Sequence, residues 1–147
     1  MKSYNHLWEE FISDENIEKS IKKASIGKKN RKNVQRYLDQ PNIKDIVKDY
    51  AEHYHNSFHS PVEIYDGIVR KKRNIIVPTF AELIIQHMIV NVLQPIFMKG
   101  MYEHSYGSIP GRGAHKGKKT LQKWIAKGGC KYCLKMDIRK YFRECPA

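Results

Sequence analysis

The residues that could do chemistry gather at a few points along the chain. Asp137 ends the apolar run Tyr132-Cys133-Leu134-Lys135-Met136, and Tyr141 and Phe142 follow on the next turn. A carboxylate held at a strand end is a rigid oxygen ligand for a hard dication such as Mg²⁺. An Asp at that place also serves as a helix cap or a turn residue. The cations are blocked rather than scattered. Lys19 to Arg36 holds eight basic residues and no acidic one, Arg70-Lys71-Lys72-Arg73 forms a second block, and Arg112 to Lys135 holds eight more with no carboxylate between them. One such block reads as a solvated basic face. Three in a small chain favour a polyanionic partner, because each neutralised phosphate releases condensed counterions. Cys130 and Cys133 form a single CxxC pair, for which zinc would need two further ligands from Cys145 or His115. His53, His55 and His59 lie close together but pair with no carboxylate in a metal-binding pattern, and they read as partly exposed histidines.

These groups need elements to hold them. Leu7, Trp8, Phe11 and Ile12 have helical spacing, and Ser13-Asp14-Glu15 predicts the capped start of a second helix carrying Ile17, Ile21 and Ala24, broken near Ser25-Ile26-Gly27. Pro41 suits the first turn of another helix, with Ile43, Ile46, Val47 and Tyr50 along one side; helical periodicity fades after His53. Val62 to Tyr65 and Asn74 to Val77 predict a β-hairpin whose connecting end is strongly positive. Thr79-Phe80-Ala81-Glu82 is a capping box opening a long helix, apolar nearly all round and so expected in the middle of a domain. Pro95 is expected to end or kink it, with a short second piece from Phe97 to Met101. Ser105 to Gly113 reads as a loop. A helix over 114–127 follows, with Leu121, Trp124 and Ile125 as its apolar side and Gly128-Gly129 closing it. A strand over 132–138 and a helix from Arg139 onward complete the expected elements.

The totals set bounds on this picture. With 147 residues, 41% of them hydrophobic, the chain can form a packed core. No apolar run is expected to approach the ~20 residues that span a bilayer, and no signal-peptide core is visible at the start, so a cytoplasmic location is expected. Three cysteines do not make a disulfide framework. The formal net charge of +12 agrees with the blocked cations.

Several of these segments, in order, resemble reverse transcriptases. Lys135-Met136-Asp137-Ile138-Arg139-Lys140-Tyr141-Phe142 resembles the family's first catalytic palm motif. Upstream, Arg73-Asn74-Ile75-Ile76-Val77-Pro78 resembles its fingers motif. Glu82 to Phe97, with Leu93-Gln94-Pro95-Ile96-Phe97, resembles the helix that backs the fingers in group II intron and related bacterial enzymes. Ser105-Tyr106-Gly107 followed by Pro110-Gly111-Arg112-Gly113 resembles their Ser-Tyr-Gly-Phe…Arg-Pro-Gly-Arg loop, with Ser108 where the pattern has Phe. The matches cover about half the chain, residues 70–142, and the first sixty residues match only as a variable helical extension would.

The resemblance implies an α+β fold: a basic helical region over 1–60, a fingers-like region with a β-hairpin and a buried helix over 61–130, and the first strand and helix of an incomplete palm over 131–147. It implies RNA-directed DNA synthesis on an RNA template and DNA primer, with deoxynucleotides as substrate and Mg²⁺ as cofactor. The relatives would be of the group II intron, retron or diversity-generating kinds. Asp137 would be the catalytic carboxylate and, with the carbonyl of Ile138, a metal ligand. Lys71, Lys72 and Arg73 would contact the nucleotide triphosphate, where guanidinium forks suit phosphate oxygens. Phe142 would be the steric gate beneath the incoming sugar. Arg112 would lie near the template or the fingers backbone, and Lys116, Lys118, Lys119 and Lys123 would make general phosphate contacts. The family also needs a second carboxylate pair, usually in a Tyr-x-Asp-Asp turn, and no such motif follows Asp137; Ile64-Tyr65-Asp66-Gly67 lies upstream with one Asp. These residues alone are therefore expected to be inactive, to be a fragment, a truncated product or one piece of a split protein, and to associate with themselves or with a missing C-terminal half. No membrane partner is expected. Two other readings remain: a non-enzymatic basic nucleic-acid-binding module, and a zinc-dependent regulator built on the CxxC pair.

Overall fold

The fold was described from a computed structural model, which describes residues 3–55, 59–68, 70–129 and 131–138. The architecture is α+β and divides into two compact units, Met1–Gly100 and Met101–Ala147.

The first unit begins with helix α1 (Leu7–Phe11) and helix α2 (Asp14–Ser25). Ser13 caps α2: its hydroxyl oxygen accepts from the Asn16 amide at 3.3 Å, while Asp14 and Glu15 occupy the positive first turn and Lys22 and Lys23 the last. Gly27, at φ 69°, takes the chain out of α2 in the expected place. Helix α3 (Lys32–Leu38) and helix α4 (Ile43–Glu52) follow. Strands β1 (Val62–Asp66) and β2 (Lys71–Ile75) pair antiparallel, from Val62 opposite Ile75 to Asp66 opposite Lys71. Helix α5 (Phe80–Gly100) ends the unit. Ile17 and Ala24 of α2, Val34 of α3, Val47 of α4, and Ile84 and Met88 of α5 form the buried centre. The capping box at the start of α5 is formed both ways. The Thr79 amide donates to Glu82 Oε2 at 2.7 Å, and the Glu82 amide donates to Thr79 Oγ1 at 3.2 Å.

Three expectations for this unit need correction. The second hairpin strand starts at Lys71 rather than Asn74, so Lys71, Lys72 and Arg73 lie in the ladder and the connecting end is Gly67 to Arg70. Gly67 at φ 75° and Arg70 at φ 48° turn the chain tightly enough for pairing to resume at once. Pro95 neither ends α5 nor starts a second piece, because α5 runs through it to Gly100. Proline's φ is itself helical, so its ring removes one hydrogen bond without reversing the chain. The 21 residues of α5 are also long and apolar enough, by length and composition, to cross a membrane, contrary to the expectation that no apolar run approaches that length. Its polar side chains Glu82 and Asn91 are bonded to other segments of the unit, as in the central helix of a folded domain.

In the second unit, Ile109-Pro110-Gly111-Arg112 makes a tight turn. Pro110 supplies a fixed φ, Gly111 stands at φ 70°, and the Arg112 amide donates to the Ile109 carbonyl at 3.0 Å. Helix α6 (Ala114–Ala126) follows and ends at Gly128 and Gly129, both at positive φ. Leu121, Trp124 and Ile125, its expected apolar side, are 42–59% exposed. The strand expected over 132–138 is not formed among the described residues. Tyr132, Leu134, Met136 and Ile138 are 69–94% exposed there. An alternating run becomes a strand only when another strand completes its ladder, and no described strand of this unit does so. The helix expected from Arg139, together with Phe142, Cys130 and Cys145, lies outside the described residues.

Candidate nucleic-acid interface

Antiparallel pairing sorts the hairpin cations. Residues directly opposite share a face and neighbours alternate, so Lys71 and Arg73 project from one side with Asp66, and Lys72 from the other with Glu63 and Tyr65. Arg73 Nε lies 3.1 Å from Asp66 Oδ2, and Lys72 Nζ 2.5 Å from Glu63 Oε2. The hydrogen bond from Lys72, then that from the Tyr65 hydroxyl, holds the Glu63 carboxyl below its usual range. Both ion pairs are more than one-third exposed. They set register and screen charge more than they stabilise the hairpin. Two of the three cations expected at a triphosphate thus already have carboxylate partners. The linear sequence shows Glu63 and Asp66 but not the register that delivers them.

On α6 the 100° step per residue places Lys116, Lys119 and Lys123 along one stripe, with Lys118 well off it beside Ile125. No acidic residue lies on this helix, and none of the four lysines has an ion-pair partner among the described residues. The neighbouring stripe faces the preceding loop. Gly117 lets the loop come close there: a Cβ would stand 3.1 Å from the Tyr106 ring, which would have to give by a few tenths of an ångström. His104 packs edge-on against Trp124 at 4.7 Å between centroids, and its Nδ1 lies 3.0 Å from the Tyr106 hydroxyl. Arg112 turns back on its own loop, donating to the carbonyls of Tyr102 at 2.8 Å and Glu103 at 3.3 Å. In this arrangement it braces the loop that seats α6, and the lysine stripe is the surface left open.

Asp137 and Ile138 are exposed and follow directly in the chain. Together they offer one carboxylate and one carbonyl. Among the described residues no three metal-ligating side chains converge. These two groups do not by themselves fit a Mg²⁺ site, which needs a fuller octahedral set. Cys133 is an exposed free thiol.

Two arrangements escaped the sequence reading. His59, one of the three histidines expected to be partly exposed, approaches both oxygens of Glu82 through Nε2, at 2.8 and 2.7 Å. Burial alone would raise the Glu82 carboxyl. The hydrogen bonds from His59 and from the Thr79 amide and hydroxyl outweigh it and hold the group below its usual range. A second polar cluster joins α2 to α5: Asn91 Nδ2 donates to Asn16 Oδ1 at 2.9 Å and to Ser20 Oγ at 3.0 Å, and Asn16 Nδ2 donates to the Met88 carbonyl at 3.2 Å. Polar residues at helical spacing with buried hydrophobics were the available signal for this cluster. For His59 there was none, since its partner lies 23 residues on.

Compared with models of protein families and with curated proteins, the sequence matches none.

Proposed function

We propose that this chain carries the fingers and the start of the palm of a reverse transcriptase, and that these residues bind nucleic acid and nucleotide phosphates. The observation that carries the reading is the order of the motif-like segments. The basic hairpin carrying Arg73 comes first, then the capped apolar helix, the Tyr106–Gly113 turn before a lysine-striped helix, and finally Asp137 after an alternating run. In this reading RNA template and DNA primer lie along exposed lysines such as Lys116, Lys119 and Lys123, deoxynucleotide phosphates meet Lys71, Lys72 and Arg73, and the protein works in the cytoplasm. Mg²⁺ would use Asp137 and Ile138 only in company with further oxygen ligands, so polymerisation by these residues alone is not expected.

A non-enzymatic nucleic-acid-binding module is the second reading. It is favoured by the pairing of Lys72 with Glu63 and Arg73 with Asp66, which occupies the cations a triphosphate would need. Asp137→Asn separates the two. The polymerase reading expects deoxynucleotide binding that Mg²⁺ strengthens, with triphosphate oxygens supplying the further ligands beside Asp137, and that the substitution removes. Nucleic-acid binding that is unchanged or tighter in the variant, with no response to Mg²⁺ in either protein, would decide for the module.

A further inference from the structure

The helical unit carries a cationic surface separate from the hairpin. After α2, the Lys28 amide donates to the Ser25 carbonyl and the Arg31 amide to the Lys28 carbonyl, both at 3.0 Å. The resulting turn lines an open cavity of about 230 Å³ with Lys28, Lys29, Asn30 and Arg31. In α3, Lys32 and Arg36 stand four residues apart on the side opposite Val34, which is 1% exposed. Like charges at that spacing oppose the helix they sit on. Among the described residues the carboxylate partners of Lys and Arg side chains fall on Lys44, Lys72 and Arg73, and on none of these five cations. The field also reaches a neighbouring helix. His87 of α5 is held below its usual range by burial first, then by Lys23 and Lys28. Repulsion concentrated in this way, without internal counterions, is relieved by a bound polyanion.

We propose that the α2–α3 turn is a binding site for the phosphodiester backbone of a nucleic acid, with Lys28, Lys29 and Arg31 as phosphate contacts and Lys32 and Arg36 extending the track. Asn30, Asn33 and Gln35, exposed between the cations, supply neutral donors and acceptors for phosphate and sugar oxygens. An anionic membrane is the weaker match. Interfacial helices present an apolar face beside their cations, whereas α3 turns Val34 into the core and the turn exposes only Ile26 as an apolar side chain. The site does not depend on polymerase chemistry, and it lies outside the segments that resemble reverse transcriptases.

The test is fluorescence anisotropy of a labelled oligouridylate and of a labelled DNA duplex, titrated with the full chain across a salt series. The protein is compared with a Lys28→Gln/Lys29→Gln/Arg31→Gln variant and with Lys71→Gln/Lys72→Gln in the hairpin. At about 0.7 decade per released counterion near 0.1 M salt, loss of three contacts weakens single-strand binding ~100-fold and lowers the salt slope by about 2. Which of the two probes shows the loss identifies the form of nucleic acid bound. Lys29, Arg31, Lys71 and Lys72 are exposed, Lys28 is half-buried with its Nζ donating to the Ala24 carbonyl at 3.5 Å, and a matching thermal unfolding curve confirms that the variant is folded. Unchanged affinity and slope for both probes overturn the proposal. So does nucleic-acid binding that stays intact while binding to phosphatidylserine vesicles is lost. If the α2–α3 variant loses strand affinity while Lys71→Gln/Lys72→Gln keeps it, this site stands independently of the reverse-transcriptase reading, which places nucleotide phosphates rather than strands at the hairpin and is tested by nucleotide binding.

Discussion

Removing His59 tests the most tightly defined polar contact in the helical unit. Its Nε2 donates toward both oxygens of Glu82, whose side chain is 5% exposed, and His59 itself is 21% exposed. A hydrogen bond to a charged group contributes about 1.5–3 kcal/mol, and the residual exposure of His59 places this one toward the lower half. His59→Ala leaves Glu82 with the Thr79 amide and hydroxyl, so a loss of about 2 kcal/mol is expected. Glu82→Ala removes the acceptor for all three donors. It should cost about 3 kcal/mol, the His59 contribution plus about 1 for the opened capping box. In urea unfolding followed by far-UV circular dichroism, the double variant should then lose no more than Glu82→Ala alone, giving a coupling near 2 kcal/mol. The pH dependence has a definite sign. Because the folded-state carboxyl lies below its ordinary value of 4.5, its stabilisation is complete above that pH and is lost as pH falls through the folded value. Glu82→Gln should flatten this acid limb. Additive single losses, or an acid limb unchanged in Glu82→Gln, would refute the account.

Two further outcomes follow from the described contacts. Glu63→Gln with Asp66→Asn releases Lys72 and Arg73 from their partners and removes two carboxylates that repel an arriving anion, so triphosphate affinity measured by calorimetry should rise severalfold, with thermal stability nearly unchanged. Gly117→Ala brings a methyl group to 3.1 Å from the Tyr106 ring. The gain of about 1 kcal/mol in helix propensity should be exceeded by an overpacking cost of about 1–3, so α6 should lose protection from hydrogen exchange rather than gain it.

What the sequence makes legible here is local. Ser13 ahead of Asp14-Glu15, and Thr79 three residues before Glu82, announce their helices because a cap is completed within one turn of its own element. Pro110-Gly111 announces its turn for the same reason. The hairpin was legible as a pair of β-rich runs. Its register was not, because that depends on how early pairing resumes after Gly67 and on ion pairs that exist only once the strands are aligned. Asn16 and Asn91, at 75 residues' separation, meet only through packing of α2 on α5, and His59 meets Glu82 only because the segment before β1 lies against the start of α5; no spacing rule connects either pair. The expected strand around Leu134 failed for a related reason. Alternation is a property of the segment, whereas a ladder belongs to two segments, and the described residues supply one.

The three basic surfaces should differ in how they respond to salt. A cation without a carboxylate partner holds solvent anions loosely and leaves phosphate charge to be neutralised afresh, so each contact from α6 or the α2–α3 turn should carry a full counterion-release increment. In the hairpin, Glu63 and Asp66 already act as internal counterions for Lys72 and Arg73. A phosphate arriving there must displace a tethered carboxylate, which exchanges one anionic partner for another and depends less on bulk salt. Dense charge, such as a triphosphate, can compete with the tethered carboxylates where a single backbone phosphate competes poorly. Strand binding with a steep salt dependence together with nucleotide binding with a shallow one would assign the open surfaces to polymer and the hairpin to the compact ligand. Equal slopes for both would mean that the cross-strand pairs do not govern what the hairpin accepts.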